Sequence, residues 1–166
     1  MKILTLLIIP AALLLTSCSH TYYVVRHAEK ATASPGTTMS SPNDPPLSDA
    51  GSKRAIALME TLQNKKIAHI FSTNTIRTKT TAEPLSKKLG ISIETYKPMS
   101  DTSFINSLKK LKKNVLVVGH SNTVDDLSNM LAGKTVVPGD LPDSEYDNLF
   151  VIKYKGKKIS FERLKF

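Results

Sequence analysis

The stretch Thr21-Tyr22-Tyr23-Val24-Val25-Arg26-His27 decides how the rest of the chain is read. Its first five residues are β-branched or aromatic, the composition of a short buried strand. It ends on a guanidinium and an imidazole. In open α/β sheets ligands bind beyond the carboxyl ends of the strands, so Arg26 and His27 stand where chemistry is expected.

Working outward, residues 26–46 form a long loop rich in Ser, Thr and Pro. A stretch of that length without regular structure is uncommon inside a compact domain and is often functional. Ser48 is placed to cap a helix over residues 49–64, in which Ala55, Leu58, Met59 and Leu62 recur at helical spacing on one face. A second strand is expected over residues 69–72. A helix over 75–89 follows, stopped by Gly90 and kinked by Pro84. Residues 91–96 form a third strand, and Asp101 caps a helix with Phe104, Ile105, Leu108 and Leu111 as its stripe. The unbroken apolar run Val115 to Val118 predicts a strand covered on both faces. A helix over 123–132 ends at Gly133, with Val124, Leu127 and Leu131 on its buried side. Residues 149–154 and 159–164 then make a hairpin about Lys155-Gly156. Strands alternating with helices predict an α/β three-layer sandwich with a mostly parallel central sheet, as one domain over residues 21–166.

The same assignments bring distant residues to one edge of that sheet. Arg26 and His27 follow the first strand. Ser72-Thr73-Asn74 follow the second, with Arg77 in the first turn of the next helix. Gly119-His120-Ser121-Asn122 follow the Val115 strand. Two imidazoles and two guanidinium groups suit phosphoryl transfer. The charge on the transferring group spreads over its oxygens, and catalysis is mainly positioning and electrostatic stabilisation. Arginine offers a planar fork that matches those oxygens, and histidine can serve as a nucleophile. Metal binding by the two histidines is the competing reading, but carboxylate or thiolate ligands at suitable spacing are missing.

Four segments in order then carry a resemblance. Val24-Val25-Arg26-His27-Ala28-Glu29-Lys30 resembles the Arg-His-Gly signature of the histidine phosphatase superfamily, which includes the phosphoglycerate mutases. Leu47-Ser48-Asp49-Ala50-Gly51 resembles its helix start. The segment from Phe71 to Glu83, with Ser72, Arg77, Thr81 and Ala82 in place, resembles its arginine-bearing block. Val117-Val118-Gly119-His120-Ser121-Asn122 resembles its second histidine motif. The resemblance implies a phosphoglycerate mutase-like fold and a cofactor-independent phosphatase. Such an enzyme would hydrolyse phosphate monoesters or phosphoramidates of a small molecule or phosphoprotein through a phosphohistidine intermediate. It implies His27 as nucleophile, with Arg26, Arg77 and His120 holding the phosphate and His120 opposite Arg26. No metal or cofactor is implied, and the short chain lacks the insertions of the mutases.

Two departures stand out. Ala28 replaces the usual glycine. The general acid of many members, a carboxylate from an insertion after the third strand or an aspartate after the second histidine, is missing. Residues 91–113 hold no insertion, and Ser121 follows His120. Glu94, Asp101 and Asp44 remain as possible donors. The gap favours substrates with good leaving groups, such as a phosphohistidine, acyl phosphate or aryl phosphate. A catalytically weak phosphate-binding lipoprotein on the same fold is the alternative.

Ahead of the domain, Lys2 is followed by an apolar run from Ile3 to Leu15, interrupted by Thr5 and Pro10. It is shorter than the about 20 residues of a membrane span and reads as an export signal over residues 1–17. Leu15-Thr16-Ser17-Cys18 resembles the lipobox of bacterial lipoproteins, which implies lipidation of Cys18, the chain's single cysteine. A cleaved ordinary signal, or an uncleaved anchor with a free thiol, is the other reading. The expected location is the bacterial cell envelope, anchored to a membrane and facing the periplasm or exterior. Residues 18–20 would be a short spacer, and a strand of about five residues would set His27 about 17 Å from the membrane end.

The formal net charge of +9 favours acidic partners. The lysines cluster at predicted helix ends and turns, where they complement helix dipoles. No nucleic-acid motif accompanies them, so no nucleic acid is expected. Among single residues, His20 reads as spacer and His69 as structural. Glu29 reads either as an orienting group for its loop or as plain surface. Asn122 reads as a cap of the last helix, with steadying of the phosphate loop as the alternative; Asp125 and Asp126 read as first-turn acids; Tyr146 and Asp147 read as packing before the hairpin, with substrate contact as the alternative.

Overall fold

A computed structural model of the chain describes residues 19–32, 41, 43–98 and 102–166. The proposed signal, Cys18 and Asp101 lie outside them. In chain order the elements are β1 (Ser19–Arg26), α1 (Asp49–Leu62), β2 (Ile67–Ser72), α2 (Ile76–Leu89), β3 (Ile93–Thr95), α3 (Ser103–Leu111), β4 (Asn114–Gly119), α4 (Val124–Ala132), β5 (Asn148–Lys155) and β6 (Lys158–Lys165). The strands form one six-stranded sheet in the order β3-β2-β4-β1-β5-β6.

Period-two alternation explains the two cores. Tyr22 and Val24 of β1, with Val115 and Val117 of β4, face Ile105, Leu108, Leu127 and Leu131 of α3 and α4. Tyr23, Val25, Leu116 and Val118 face Leu58, Leu62, Ala82 and Leu85 of α1 and α2. The runs Tyr22 to Val25 of β1 and Val115 to Val118 of β4 are therefore apolar throughout because helices cover both faces. Burial of each such Val or Leu stabilises the fold by roughly 1.5–3 kcal/mol.

The expectation of a mostly parallel sheet is corrected: the sheet is mixed. β3, β2, β4 and β1 pair in parallel, but β5 runs antiparallel to β1, and β6 antiparallel to β5. The reason lies in the connections. Parallel neighbours need a crossover of a dozen or more residues, whereas Gly156, at φ 59°, closes a tight hairpin. Residues 133–147 carry the chain back to the carboxyl edge of the parallel strands, so β5 enters from there.

Local signals hold at several boundaries. The Ser48 side chain accepts from Gly51 N at 3.1 Å, and Gly90 ends α2 in the left-handed region. α2 continues unbroken across Pro84. Ser19 and His20, read as spacer, are the first residues of β1, paired with Lys155 and Tyr154. β1 therefore has eight residues and spans about 23 Å, longer than expected. Charged residues along the exposed edge strand β6, Lys158, Glu162, Arg163 and Lys165, discourage pairing with another chain.

Candidate active site

Strand register places the two histidines together. Arg26 pairs with Gly119 across β1 and β4, so the next residues, His27 and His120, leave neighbouring strands at the same level. His27 N donates to Gly119 O at 2.9 Å, and the two ring centroids are 5.5 Å apart. Arg26, His27, Arg77 and His120 line one cleft of about 470 Å³, with Lys30, Ser121 and Asp143 also on its walls.

His27 is 4% exposed. Its Nδ1 lies 2.8 Å from the Ala28 carbonyl, which can only accept, so Nδ1 carries the proton and Nε2 keeps its lone pair. Burial pushes the imidazole down to about 4, with the charges of Arg77 and Arg26 adding to the effect. His27 is thus neutral at pH 7. Ala28 N donates to Thr81 Oγ1 at 2.9 Å, which fixes the turn just past His27.

His120 is held from both sides. Its Nε2 lies 2.8 Å from Thr73 Oγ1, and Arg77 Nη2 faces its Nδ1 at 3.4 Å. A guanidinium can only donate, so Nδ1 accepts and Nε2–H points to the threonine. Burial, followed by the charge of Arg77, lowers this imidazole to about 4 as well. Thr73 leans in turn on Thr78 at 3.0 Å. Thr123, not Asn122, is the N-cap residue of α4, and its hydroxyl accepts from His120 N at 3.1 Å. Asn122 instead lines the cleft.

The arginines are positioned by parts of the chain far from them. Arg77 donates from Nη1 to Asp44 Oδ1 at 3.0 Å, and the other carboxylate oxygen accepts from Ile76 N at 2.9 Å. Asp44 therefore serves as a carboxylate at the N-terminus of α2, where Thr75 provides no side-chain cap. Arg26 is 3% exposed. Its Nη1 donates to Pro142 O at 2.8 Å and to Glu145 O at 3.3 Å, and its Nη2 to Asp143 Oδ1 at 3.0 Å. The Tyr146 ring lies 4.1 Å from its guanidinium carbon. Arg26 Nε is buried and has no hydrogen-bond partner among the described residues.

The remaining candidates separate from the site. Glu94 is paired with His69 at 3.0 Å and does not line the cleft. Glu29 binds Arg54 through both oxygens, and its backbone is packed on Gly51, where a Cβ would lie 2.2 Å from Glu29 O. The glycine of the Leu47–Gly51 segment is therefore a close-approach residue that lets α1 seat the loop after His27. Asp147 pairs with Lys165. Asp125 is buried, and desolvation raises its pKa. Among the described residues no group of three or more His, Cys, Asp or Glu side chains is arranged to hold a metal ion. The contributions of Thr73, Asp143 and Tyr146 escaped the sequence. The loop holding Arg26 lies 116 residues or more away along the chain, and no spacing rule reaches that far.

The chain belongs to the histidine phosphatase superfamily (branch 1), whose profile matches residues 22–106. No curated protein sequence matches it. Among solved structures it is similar to a protein described as phosphohistidine phosphatase SixA from Agrobacterium tumefaciens. Identity is 22% and the TM-score 0.62, covering 87% of this chain and 97% of that one. It is also similar to the protein histidine phosphatase SixA complexed with tungstate (18%, TM-score 0.64, 87% and 96% covered). A third relative is phosphoglycerate mutase from Bacillus anthracis (17%, TM-score 0.63, 90% and 94% covered). At these identities the likeness establishes the fold.

Proposed function

We propose that the protein hydrolyses phosphorylated substrates by way of a phosphohistidine at His27. The observation that carries this reading is the fixed tautomer of His27. Its Nε2 lone pair is free in a cleft shared with His120 and Arg77. In the first step Nε2 attacks phosphorus, and the bond from phosphorus to the leaving oxygen or nitrogen breaks with its electron pair going to the leaving group. In the second step water attacks the phosphohistidine, and the N–P bond breaks to return neutral His27 and inorganic phosphate. Arg77 and the unpartnered Nε of Arg26 supply donors to the phosphoryl oxygens. His120 joins them when a bound phosphate monoanion passes its proton to Nδ1.

Substrate preference follows from the carboxylates. Asp143 is ion-paired with Arg26, and Asp44 is engaged by Arg77 and Ile76 N. Among the described residues, none is left poised to protonate a leaving group. Phosphohistidine, acyl or aryl phosphates, which depart without that help, are the proposed class. The same lack supports a second reading, an oxyanion-binding protein with little turnover.

The His27→Asn variant separates the two. A phosphatase loses turnover on an aryl phosphate while the variant stays folded and still binds vanadate; a binding protein shows no turnover to lose. Equal rates on alkyl and aryl phosphates would overturn the leaving-group argument.

For location we propose a lipid-anchored envelope protein, with the anchor at Cys18 next to the first residue of β1. His27 then lies about 23 Å away at the other end of that strand, and the cleft opens away from the bilayer. Efficient hydrolysis of phospholipid in intact vesicles would contradict this orientation.

A further inference from the structure

Helices that connect parallel strands run against them. Helix ends and strand starts therefore gather at one end of the molecule, opposite the cleft. The chain places lysine at nearly every one of these junctions. Lys65 and Lys66 lie between α1 and β2. Lys87 and Lys88 close α2, and Lys112 and Lys113 precede β4. Lys134 follows the end of α4, and Lys155, Lys157 and Lys158 make the tip of the β5–β6 hairpin. All are exposed.

Contacts tie these junctions together. Asn114 Oδ1 accepts from Thr21 N, and its Nδ2 donates to Lys65 O, joining β4, β1 and the α1–β2 turn. Ser19 pairs with Lys155, which pairs with Lys158. Lys112 is near enough to His20 for its charge to disfavour the imidazolium. The acids are elsewhere: Glu29, Asp44, Asp49, Asp126 and Asp143 lie at the cleft end. Toward the basic end stand Glu83, already paired with Lys87, Glu60, and Glu162, which lines a shallow pocket with Lys65 and Lys153.

Helix dipoles account for the cations in the last turns of α2 and α3. They do not account for the hairpin tip, which ends no helix. The last turns of α1 and α4 carry no basic residue, and their lysines lie in the turns beyond.

We propose that this basic end is a docking face for an anionic lipid bilayer. Two independent features meet there. One is positive charge with little compensating negative charge. The other is the point at which the chain bearing the apolar run Ile3 to Leu15 joins the domain, immediately before Ser19. A nucleic acid would satisfy the first but gives no role to the second. Basic side chains near an anionic surface strengthen binding by about fivefold each, with an effect that fades beyond a screening length of about 8–10 Å. The face supplies a second membrane signal beside an N-terminal one. It depends neither on the phosphatase reading nor on acylation of Cys18.

The test uses the full chain and vesicles of phosphatidylcholine, with and without phosphatidylglycerol, at low and high salt. The apolar N-terminus contributes to both vesicle types, so the readout is the preference for the anionic one. The triple variant Lys155→Gln, Lys157→Gln, Lys158→Gln should lose about 100-fold of that preference at low salt. A charge-matched triple at the other end, Lys53→Gln, Lys97→Gln, Lys165→Gln, should keep it to within a few-fold. Circular dichroism checks that both are folded. The pair Lys87→Gln, Lys88→Gln, with an expected loss of about 25-fold, serves if the hairpin change disturbs the sheet. Equal losses in the two triples, no anionic preference at low salt, or displacement from the vesicles by duplex nucleic acid at lower concentrations than lipid would overturn the proposal.

Discussion

Acidification is the perturbation that acts most directly on His27. The ring is 4% exposed, donates Nδ1–H to the Ala28 carbonyl, and lies near the charges of Arg77 and Arg26. Burial, reinforced by those charges, outweighs the Ala28 hydrogen bond, which favours the imidazolium, and holds the pKa at about 4 rather than the ordinary 6.5. At about pH 5, roughly nine tenths of His27 should therefore remain neutral, against about one thirtieth for an unperturbed imidazole. The nucleophile-competent fraction differs by about thirtyfold between the two cases. NMR titration of the His27 ring in the oxyanion-free protein reads this fraction directly. The kcat/KM for an aryl phosphate, which reports the free enzyme, should follow the same curve once corrected for a substrate ionisation near about pH 6. Arg77→Gln removes a cation that disfavours the imidazolium, so it should move the His27 titration upward. A ring titrating between about 6 and 7 in the folded protein would refute the reasoning, because the buried, neutral nucleophile would not exist.

Three further outcomes follow from the same contacts. Because His27 and His120 are both lowered to about 4 from 6.5, folding favours their neutral forms. Their contribution to stability is complete above about pH 6.5, falls as the pH drops toward about 4, and changes no further below it. Urea midpoints across that range should show the slope, with His120→Asn making it shallower; a midpoint independent of pH would contradict it. Gly51→Ala places a Cβ 2.2 Å from Glu29 O. The backbone beside the nucleophile must give way, at a cost of about 1–3 kcal/mol in unfolding free energy and with reduced turnover. Wild-type stability and rate in that variant would show the contact to be soft. Thr73→Val removes the acceptor of His120 Nε2–H, so sulfate or vanadate affinity should fall by about five- to tenfold, while Thr73→Ser retains it. Equal affinity in all three proteins would remove Thr73 from the site.

Much of the fold was legible because its signals are local. Ser48 sits just ahead of α1, Gly90 just after α2, and the apolar run at Val115 to Val118 could only be a strand covered on both sides. The antiparallel β5–β6 pair was legible as a hairpin, but the antiparallel pairing of β5 with β1 was not, since nothing between Gly133 and Asp147 announces at which edge the chain re-enters. His20 was misplaced for a related reason. Its strand partner Tyr154 comes from the far end of the sequence, and stacking at 5.0 Å cannot be read from either residue alone. The site divides in the same way. The strand ends alone predict Arg26, His27, Arg77 and His120 at one edge, and all four line the cleft. The roles of Asp44 as a cap on α2 and of Asp143 and Tyr146 around Arg26 depend on loops whose paths no periodicity encodes.

The proposed reaction passes through a covalent bond between phosphorus and His27 Nε2. Rapid alkaline denaturing quench during turnover of an aryl phosphate, followed by mass spectrometry of the digested chain, detects that bond. A phosphoryl group should appear on the peptide carrying His27, formed within the first turnover and absent from His27→Asn. Turnover with that peptide unmodified at every quench time, or with the phosphoryl group on another residue, would contradict it.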